Sequence, residues 1–221
     1  MKSLQVLVRA LTAGLPKGSH VTRYAMYRHL ETYRGRLSGT RILSISGSDA
    51  LCAVLGFEGA SVTGASYPEA SVLDLPFEDG AFDGVVSDQV LEHVEGDPQR
   101  AIDECFRVTR PGGFAVHATC FLNPIHAAPG DFWRFTPDAL GLLAAPHGEV
   151  VETGGWGNPW IWPYIGAGLR FESIPHARWH PLHWLATHNH PEWPVSTWVV
   201  ATKSGDRPPS PRPPAARAGT R

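Results

Sequence analysis

Residues 83–114 have the sequence DGVVSDQVLEHVEGDPQRAIDECFRVTRPGGF, and this stretch decides the fold. The apolar run at 81–88 predicts a buried strand. Asp97-Pro98 then supplies an N-cap residue followed by proline at the first helical position, which predicts that a helix begins there. Apolar residues recur at helical spacing on one face of this helix, namely Ile102, Cys105 and Phe106.

A sharp stop separates this helix from a second strand. Pro111-Gly112-Gly113 ends the helix, and residues 114–121 predict the strand. A strand, a helix and a strand in this order imply a right-handed crossover between parallel strands. Further strands are predicted at 41–46, 60–65, 71–73, 149–153 and 196–202, and helices at 50–55 and 137–143. The sequence therefore predicts an α/β fold with a mainly parallel sheet and helices on both faces.

Length and composition favour one folded domain with additions at both ends. The chain has 221 residues, of which 43% are hydrophobic, enough for one substantial core. We expect an N-terminal helical segment at 1–40 and the main domain at 41–202. An insertion rich in tryptophan and histidine interrupts that domain at 154–194, and the Pro/Arg-rich tail at 203–221 is expected to be disordered.

Charge and cysteine content restrict the partners and the compartment. The net charge is −2, and because five basic residues lie in the tail, residues 1–202 are mildly acidic, which argues against nucleic acid as a partner. Three widely spaced cysteines indicate neither a disulfide framework nor a zinc site, and favour the cytoplasm. No apolar stretch approaches the ~20 residues that cross a bilayer, and the oligomeric state is left open.

Three segments together carry a family resemblance: DLPFEDGAFD at 74–83, VVSDQVLEH at 85–93 and RVTRPGG at 107–113. In this order and spacing they resemble the small-molecule class I methyltransferases of type 11, which depend on S-adenosylmethionine. The resemblance implies a seven-stranded Rossmann-like sheet and transfer of a methyl group from S-adenosylmethionine to a nucleophile.

The resemblance also implies a set of cofactor-binding residues. Asp74 would accept a hydrogen bond from the adenine amino group, although a turn-forming role is an equal alternative, and Leu75 would flank the ring. Ser87, Asp88 and Gln89 would lie beside the methionine part. The loop after the first strand of the domain contributes Ser44, Ser46, Gly47 and Ser48, where the family has an acid and more glycines.

Candidate catalytic and acceptor-binding residues follow the predicted strands. His93, Asp88 and His126 are candidates for removing a proton from the acceptor, and packing under the site is the alternative for His93. Asp131, Trp133 and Arg134 are candidates for binding the acceptor, a small molecule or a glycan, with Arg134 bonding loop carbonyls as the alternative. An oxygen is expected to be methylated rather than a nitrogen.

The late histidines and the altered first loop allow other functions. His176, His180 and His183 could bind a metal, but neighbouring prolines and the absence of a HExxH helix favour a packed aromatic lid, and no metal is expected. The serines in the first loop leave open a protein that has the methyltransferase fold but serves only as a binding or assembly module.

Overall fold

Helices and strands alternate along residues 2–127 and 130–205, which the computed structural model describes. In chain order they are α1 Lys2–Leu11, β1 Lys17–His20, α2 Val21–Leu30, β2 Arg41–Ile45, α3 Asp49–Val54, β3 Ser61–Ala65, β4 Phe82–Asp88, α4 Pro98–Val108, β5 Thr109–Cys120, α5 Pro137–Ala144, β6 Gly148–Trp156, α6 Ile161–Gly166, β7 Ser173–Pro175, α7 Pro181–Thr187 and β8 Ser196–Lys203. Short 3-10 turns lie at Glu31–Tyr33, Leu91–His93 and Ala145–His147.

The central sheet has the strand order β3-β2-β4-β5-β8-β6. The first four of these strands are mutually parallel, and β8 pairs antiparallel with both β5 and β6. The α/β fold and the mainly parallel sheet are therefore confirmed. Within the described ranges the sheet has six strands rather than seven, because the strand predicted at 71–73 forms only an isolated bridge between Ser71 and Asp74.

The central strand–helix–strand unit forms, but α4 ends at Val108 and Pro111–Gly113 lie inside β5 rather than between the helix and the strand. Asp97 caps α4 by accepting a hydrogen bond from the Gln99 backbone N–H at 2.9 Å. Gly84 in β4 lies opposite Phe114 in β5, and a Cβ at Gly84 would come within 2.1 Å of the Phe114 ring. A glycine is needed at this position because the aromatic ring covers the neighbouring backbone.

Both faces of the sheet are covered. Ala115 packs into a core with residues of α4 and α5, whereas its neighbour Val116 packs into a second core with residues of α2, α3, α6 and α7. This alternation follows from the strand geometry, since successive side chains point to opposite faces.

The N-terminal segment and the chain between β6 and β8 pack together on one side. β1 pairs with β7, and the Tyr24 hydroxyl lies 3.0 Å from His176 Nδ1 and 3.1 Å from His183 Nδ1. Four tryptophans of this region are exposed to solvent, namely Trp160, Trp179, Trp184 and Trp193. The predicted aromatic lid is therefore not a pocket walled by these side chains.

Two further expectations concern the chain outside the core. Most of the tail predicted to be disordered, 206–221, lies outside the described residues, while Lys203 ends β8 and donates to the backbone carbonyls of Phe106 and Thr109. In the part of the chain that is described, no helix is both long and apolar enough to cross a membrane. Cys52, Cys105 and Cys120 are free and buried.

Candidate active site

A cavity of about 440 Å³ lies where β2 and β4 end. The carboxyl ends of the parallel strands meet here, since Ile45 is paired with Ala65 on one side and with Ser87 on the other. In sheets of this type ligands bind outside these ends, and the volume falls within the range of ligand pockets. The lining residues are Ser19, His20, Arg23, Tyr27, Ser46, Gly47, Ala50, Asp88 and Gln89.

The loop after β2 shapes one wall of the cavity. Ser46 and Gly47 have φ angles of +50° and +76°, which turn the chain sharply away from the strand. A Cβ at Gly47 would meet no described atom within 4 Å, so the space above this backbone is open. Ser48 is buried and joins the loop to β4, because its hydroxyl donates to the Ile45 carbonyl and accepts from the Asp88 backbone N–H at 2.8 Å.

Asp88 is the electrostatic centre of the cavity. Its Oδ2 accepts hydrogen bonds from Arg23 Nε at 2.7 Å and from the Tyr27 hydroxyl at 2.5 Å. Burial raises the pKa of Tyr27, and the nearby carboxylate raises it further, so the phenol stays protonated and donates. Burial lowers the pKa of the Arg23 guanidinium, but the charge of Asp88 and its hydrogen bond, together with the charges of Tyr27 and Glu92, raise that pKa above its usual value. The Asp88 carboxylate is therefore oriented by two residues of α2.

Two polar atoms at the cavity remain available to a ligand. Among the described residues, neither Asp88 Oδ1 nor Gln89 Nε2 has a hydrogen-bond partner, although both atoms are buried. The first is an anionic acceptor and the second is a donor. An amino acid group presents the complementary pair, since its ammonium donates and its carboxylate accepts. The cavity thus fits the methionine part of S-adenosylmethionine.

His20 lines the cavity next to Arg23. Burial, with the positive charges of Arg23 and Arg170, lowers the pKa of His20 to about 4. The imidazole is therefore neutral near pH 7 and accepts from Arg23 Nη1 at Nε2, over 3.1 Å. His20 fixes the position of the guanidinium without adding charge to the cavity.

The other predicted cofactor residues do not line this cavity within the described ranges. Ser44 is fully buried in β2, and the Ser87 hydroxyl lies 2.8 Å from His117 Nδ1 inside the sheet. Asp74 is exposed and Leu75 is buried in the core next to β4. Their roles in cofactor binding stay predictions.

A second polar cluster follows β4 and β5, and it contains Glu92, His93 and His126. Glu92 is fully buried, and its Oε2 accepts from the Thr119 hydroxyl at 2.7 Å. Burial raises the pKa of Glu92, and the Thr119 hydrogen bond opposes this shift. His126 Nε2 lies 3.9 Å from Glu92 Oε1, and the rings of His93 and His126 are 5.0 Å apart.

The predicted acceptor-binding residues surround this cluster. The Asp131 carboxylate pairs with both Nη atoms of Arg134 and accepts from the His126 backbone N–H at 2.8 Å. Trp133 donates its indole N–H to the Val94 carbonyl, while its ring and that of Phe132 remain partly exposed. The polar groups of Asp131 and Arg134 therefore hold the loop, and the rings face outward.

A family model described as a methyltransferase domain of type 11 matches residues 28–117, which contain the first loop, Asp88 and Gln89. Over these residues the chain is similar to the type 11 methyltransferase family. The cofactor of these class I enzymes is S-adenosylmethionine, as the sequence resemblance implied.

Curated relatives match this chain over part of its length. An uncharacterized methyltransferase of Mycobacterium sp. (strain KMS) is 48% identical over 66 residues, covering 29% of this chain and 26% of that protein. A probable S-adenosylmethionine-dependent methyltransferase of Mycolicibacterium smegmatis is 36% identical over 112 residues, covering 48% and 42%. The chain thus spans well under half the length of these relatives.

Solved structures share the fold of this chain at low identity. A chain in the complex between the Haloferax volcanii Trm112 methyltransferase activator and a methyltransferase has a TM-score of 0.56 at 16% identity, covering 84% of this chain and 91% of that chain. The 1,6-didemethyltoxoflavin-N1-methyltransferase of Burkholderia thailandensis has a TM-score of 0.52 at 16% identity, covering 92% and 85%. These similarities establish the fold.

Sequence reasoning missed the cavity residues that come from the N-terminal segment. His20, Arg23 and Tyr27 line the cavity but precede the segment that the family model matches. One signal was present, because Arg23 and Tyr27 are four residues apart and so share one face of a helix. Nothing in the local pattern showed that this face would meet Asp88.

Proposed function

We propose that the protein transfers a methyl group from S-adenosylmethionine to an oxygen of a small-molecule or glycan acceptor. The observation that carries the proposal is the pair of buried atoms without partners at the cavity, Asp88 Oδ1 and Gln89 Nε2. Leaving buried polar atoms without a hydrogen bond is unfavourable, so two such atoms at one cavity point to a ligand that pairs with both.

The donor side of the reaction depends on orientation. When bound, S-adenosylmethionine supplies a methyl group on a positively charged sulfur. This sulfur leaves readily, because it becomes a neutral thioether when the carbon–sulfur bond breaks. Arg23 and Tyr27 hold Asp88 Oδ2, so that Oδ1 can accept from the ammonium of the methionine part. Gln89 can donate to its carboxylate. These contacts would fix the direction of the methyl group, which is the main requirement for an in-line transfer.

The acceptor side is assigned to the cluster of Glu92, His93 and His126. As the acceptor oxygen bonds to the methyl carbon, the carbon–sulfur bond breaks, its electron pair stays on sulfur, and the hydroxyl proton must leave. The cluster combines a buried carboxylate with two imidazoles, groups suited to proton removal. Asp88 is less suited to this role, because Arg23 and Tyr27 already bind one of its oxygens.

The leaning toward a glycan or ring-containing acceptor rests on two aromatic side chains. Phe132 and Trp133 are 48% and 37% exposed beside the cluster, so each offers a ring on which a sugar or another ring could stack. The cytoplasm is the proposed location, supported by the three free cysteines.

Calorimetric titration with S-adenosylhomocysteine, the demethylated product, tests the proposal. We expect one-to-one binding, and we expect label from methyl-tritiated S-adenosylmethionine to enter the low-molecular-weight fraction of a cell extract. Absence of binding at millimolar ligand would refute the proposal and would favour a binding or assembly module with the methyltransferase fold.

A further inference from the structure

We propose that Glu92, His93 and His126 bind a divalent transition-metal ion of the Zn²⁺ class. One ligand atom from each of the three side chains lies within 4.8 Å of the other two. Around a tetrahedral Zn²⁺, with bonds of about 2.0–2.2 Å, ligand atoms are roughly 3.3 Å apart, so small side-chain rotations would complete the site. Two imidazoles and one carboxylate form a donor set typical of such ions.

The carboxylate of Glu92 is already directed into the cluster. Its Oε2 is taken by the Thr119 hydroxyl, whereas Oε1 is buried and has no hydrogen-bond partner among the described residues. This free oxygen is the one that lies 3.9 Å from His126 Nε2. A cation between them would compensate a buried charge that is otherwise unfavourable.

The His93 ring is held in the tautomer that a metal ligand requires. Its Nδ1 forms a short hydrogen bond with the Gly130 carbonyl oxygen, which can only accept. The proton therefore lies on Nδ1, and the lone pair is on Nε2. Metal-binding histidines are usually oriented by such a bond from the other ring nitrogen.

The His126 ring is held in the same tautomer. Its Nδ1 lies 3.1 Å from the Pro124 carbonyl oxygen and 3.3 Å from Asp131 Oδ2, and both are acceptors. Asn123 presents its amide nitrogen to the same Nδ1, but its Oδ1 is buried without a described partner. Turning this amide exchanges the two atoms and gives Nδ1–H a third acceptor. In this tautomer of the neutral ring, the lone pair is on Nε2, which lies 3.9 Å from Glu92 Oε1.

The site would also explain how the acceptor loses its proton, an inference that rests on the proposed function. Three protein ligands leave a fourth position of a tetrahedral ion open. An ion held by the three side chains would lower the pKa of a hydroxyl group bound at that open position, so the proton could pass to water and the three ligands would not have to act as bases. The 3-10 turn with Glu92 and the loop with His126 follow β4 and β5, at the same edge of the sheet as the cavity.

Binding of Co²⁺ and Zn²⁺ to the full chain tests the proposal without any methyl donor. After treatment with a chelator, we expect one Co²⁺ per chain, with the visible absorption of a site that has nitrogen and oxygen ligands, and displacement by Zn²⁺. His126→Ala changes a partly exposed residue, and Glu92→Gln preserves the shape of a buried one. Since loss of a residue that merely orients a ligand weakens metal binding about 10–100-fold, each variant should lose about 100-fold or more.

His188→Ala is the matched control, because it removes an exposed histidine that stacks on Trp184 away from the cluster. We expect this variant to bind Co²⁺ as the unmodified chain does. Absence of stoichiometric binding by the unmodified chain would overturn the proposal, as would binding that survives His126→Ala undiminished. Titration with S-adenosylhomocysteine in the same samples separates this result from a failure of the methyl-donor site.

Discussion

Asp88→Asn tests whether the carboxylate at the cavity recognises the methyl donor. The substitution preserves the shape of the side chain and removes its charge. A hydrogen bond to a charged group contributes about 1.5–3 kcal/mol. Because about 1.4 kcal/mol corresponds to a factor of ten, S-adenosylhomocysteine should bind roughly 10–150-fold more weakly.

The same substitution should also lower the stability of the free protein, for a separate reason. It leaves Arg23 without its anionic partner, and the side chain of Arg23 is 27% exposed, so water can replace only part of the lost interaction. We expect the free energy of unfolding to fall by about 1–3 kcal/mol. Urea titration measures this quantity, and calorimetry at a temperature where the variant is folded measures the affinity.

Two further variants separate charge from structure. Tyr27→Phe removes one hydrogen bond to Asp88 and keeps the carboxylate, so it should reduce stability by about 1 kcal/mol with only a small loss of affinity. Asp79→Asn makes the same chemical change as Asp88→Asn at a side chain that is 82% exposed, and it should leave both quantities nearly unchanged. If Asp88→Asn were to bind S-adenosylhomocysteine as tightly as Asp79→Asn does, the assigned contact with the ammonium would be wrong.

Three other predictions concern stability. Burial lowers the pKa of His117 to about 4, so the unfolded chain takes up the proton first, and the stabilising contribution, complete above about pH 6.5, declines as the pH falls toward 4. This residue should account for a loss of about 2 kcal/mol at pH 5 in urea titrations. The stability of His117→Gln should therefore decline by about 2 kcal/mol less than that of the unmodified protein, with His20 still contributing, and an unchanged slope would contradict the assignment. Gly84→Ala should lower the free energy of unfolding by about 1–3 kcal/mol because its Cβ would meet the buried Phe114 ring at 2.1 Å, and a melting temperature equal to that of the unmodified protein would disprove this packing. Asp97→Ala should cost about 1 kcal/mol through loss of the helix cap, whereas Asp97→Ser, which can restore the cap, should recover most of it in the same thermal scan.

The metal proposal and the donor-site proposal differ in which activities they affect, namely binding of S-adenosylhomocysteine and methyl transfer. The cavity beside Asp88 can bind S-adenosylhomocysteine whether or not Glu92 and His126 hold an ion. Methyl transfer would need both, because one site positions the donor and the other activates the acceptor. The two sites are close along the chain, since Asp88 ends β4 and Glu92 lies in the 3-10 turn that follows it.

Local pattern was sufficient for most secondary structure and for part of the site. The strands at 82–88 and 41–45 and the helix from Pro98 were predicted because each has strong periodicity and clear end signals. The error at 71–73 arose because three apolar or β-forming residues do not make a strand without a neighbour that supplies ladder hydrogen bonds.

What the sequence by itself determined is the α/β class, the parallel strands and the position of a ligand cavity where those strands end. Periodicity and turn residues act over a few positions, and the order of elements then restricts the topology. Only the tertiary structure decided that His20, Arg23 and Tyr27 close the cavity, that Ser87 turns inward to His117, and that His126 meets Glu92. These contacts join residues about 30 to 70 positions apart, and their geometry depends on how the packed helices and loops sit against the sheet rather than on any local preference.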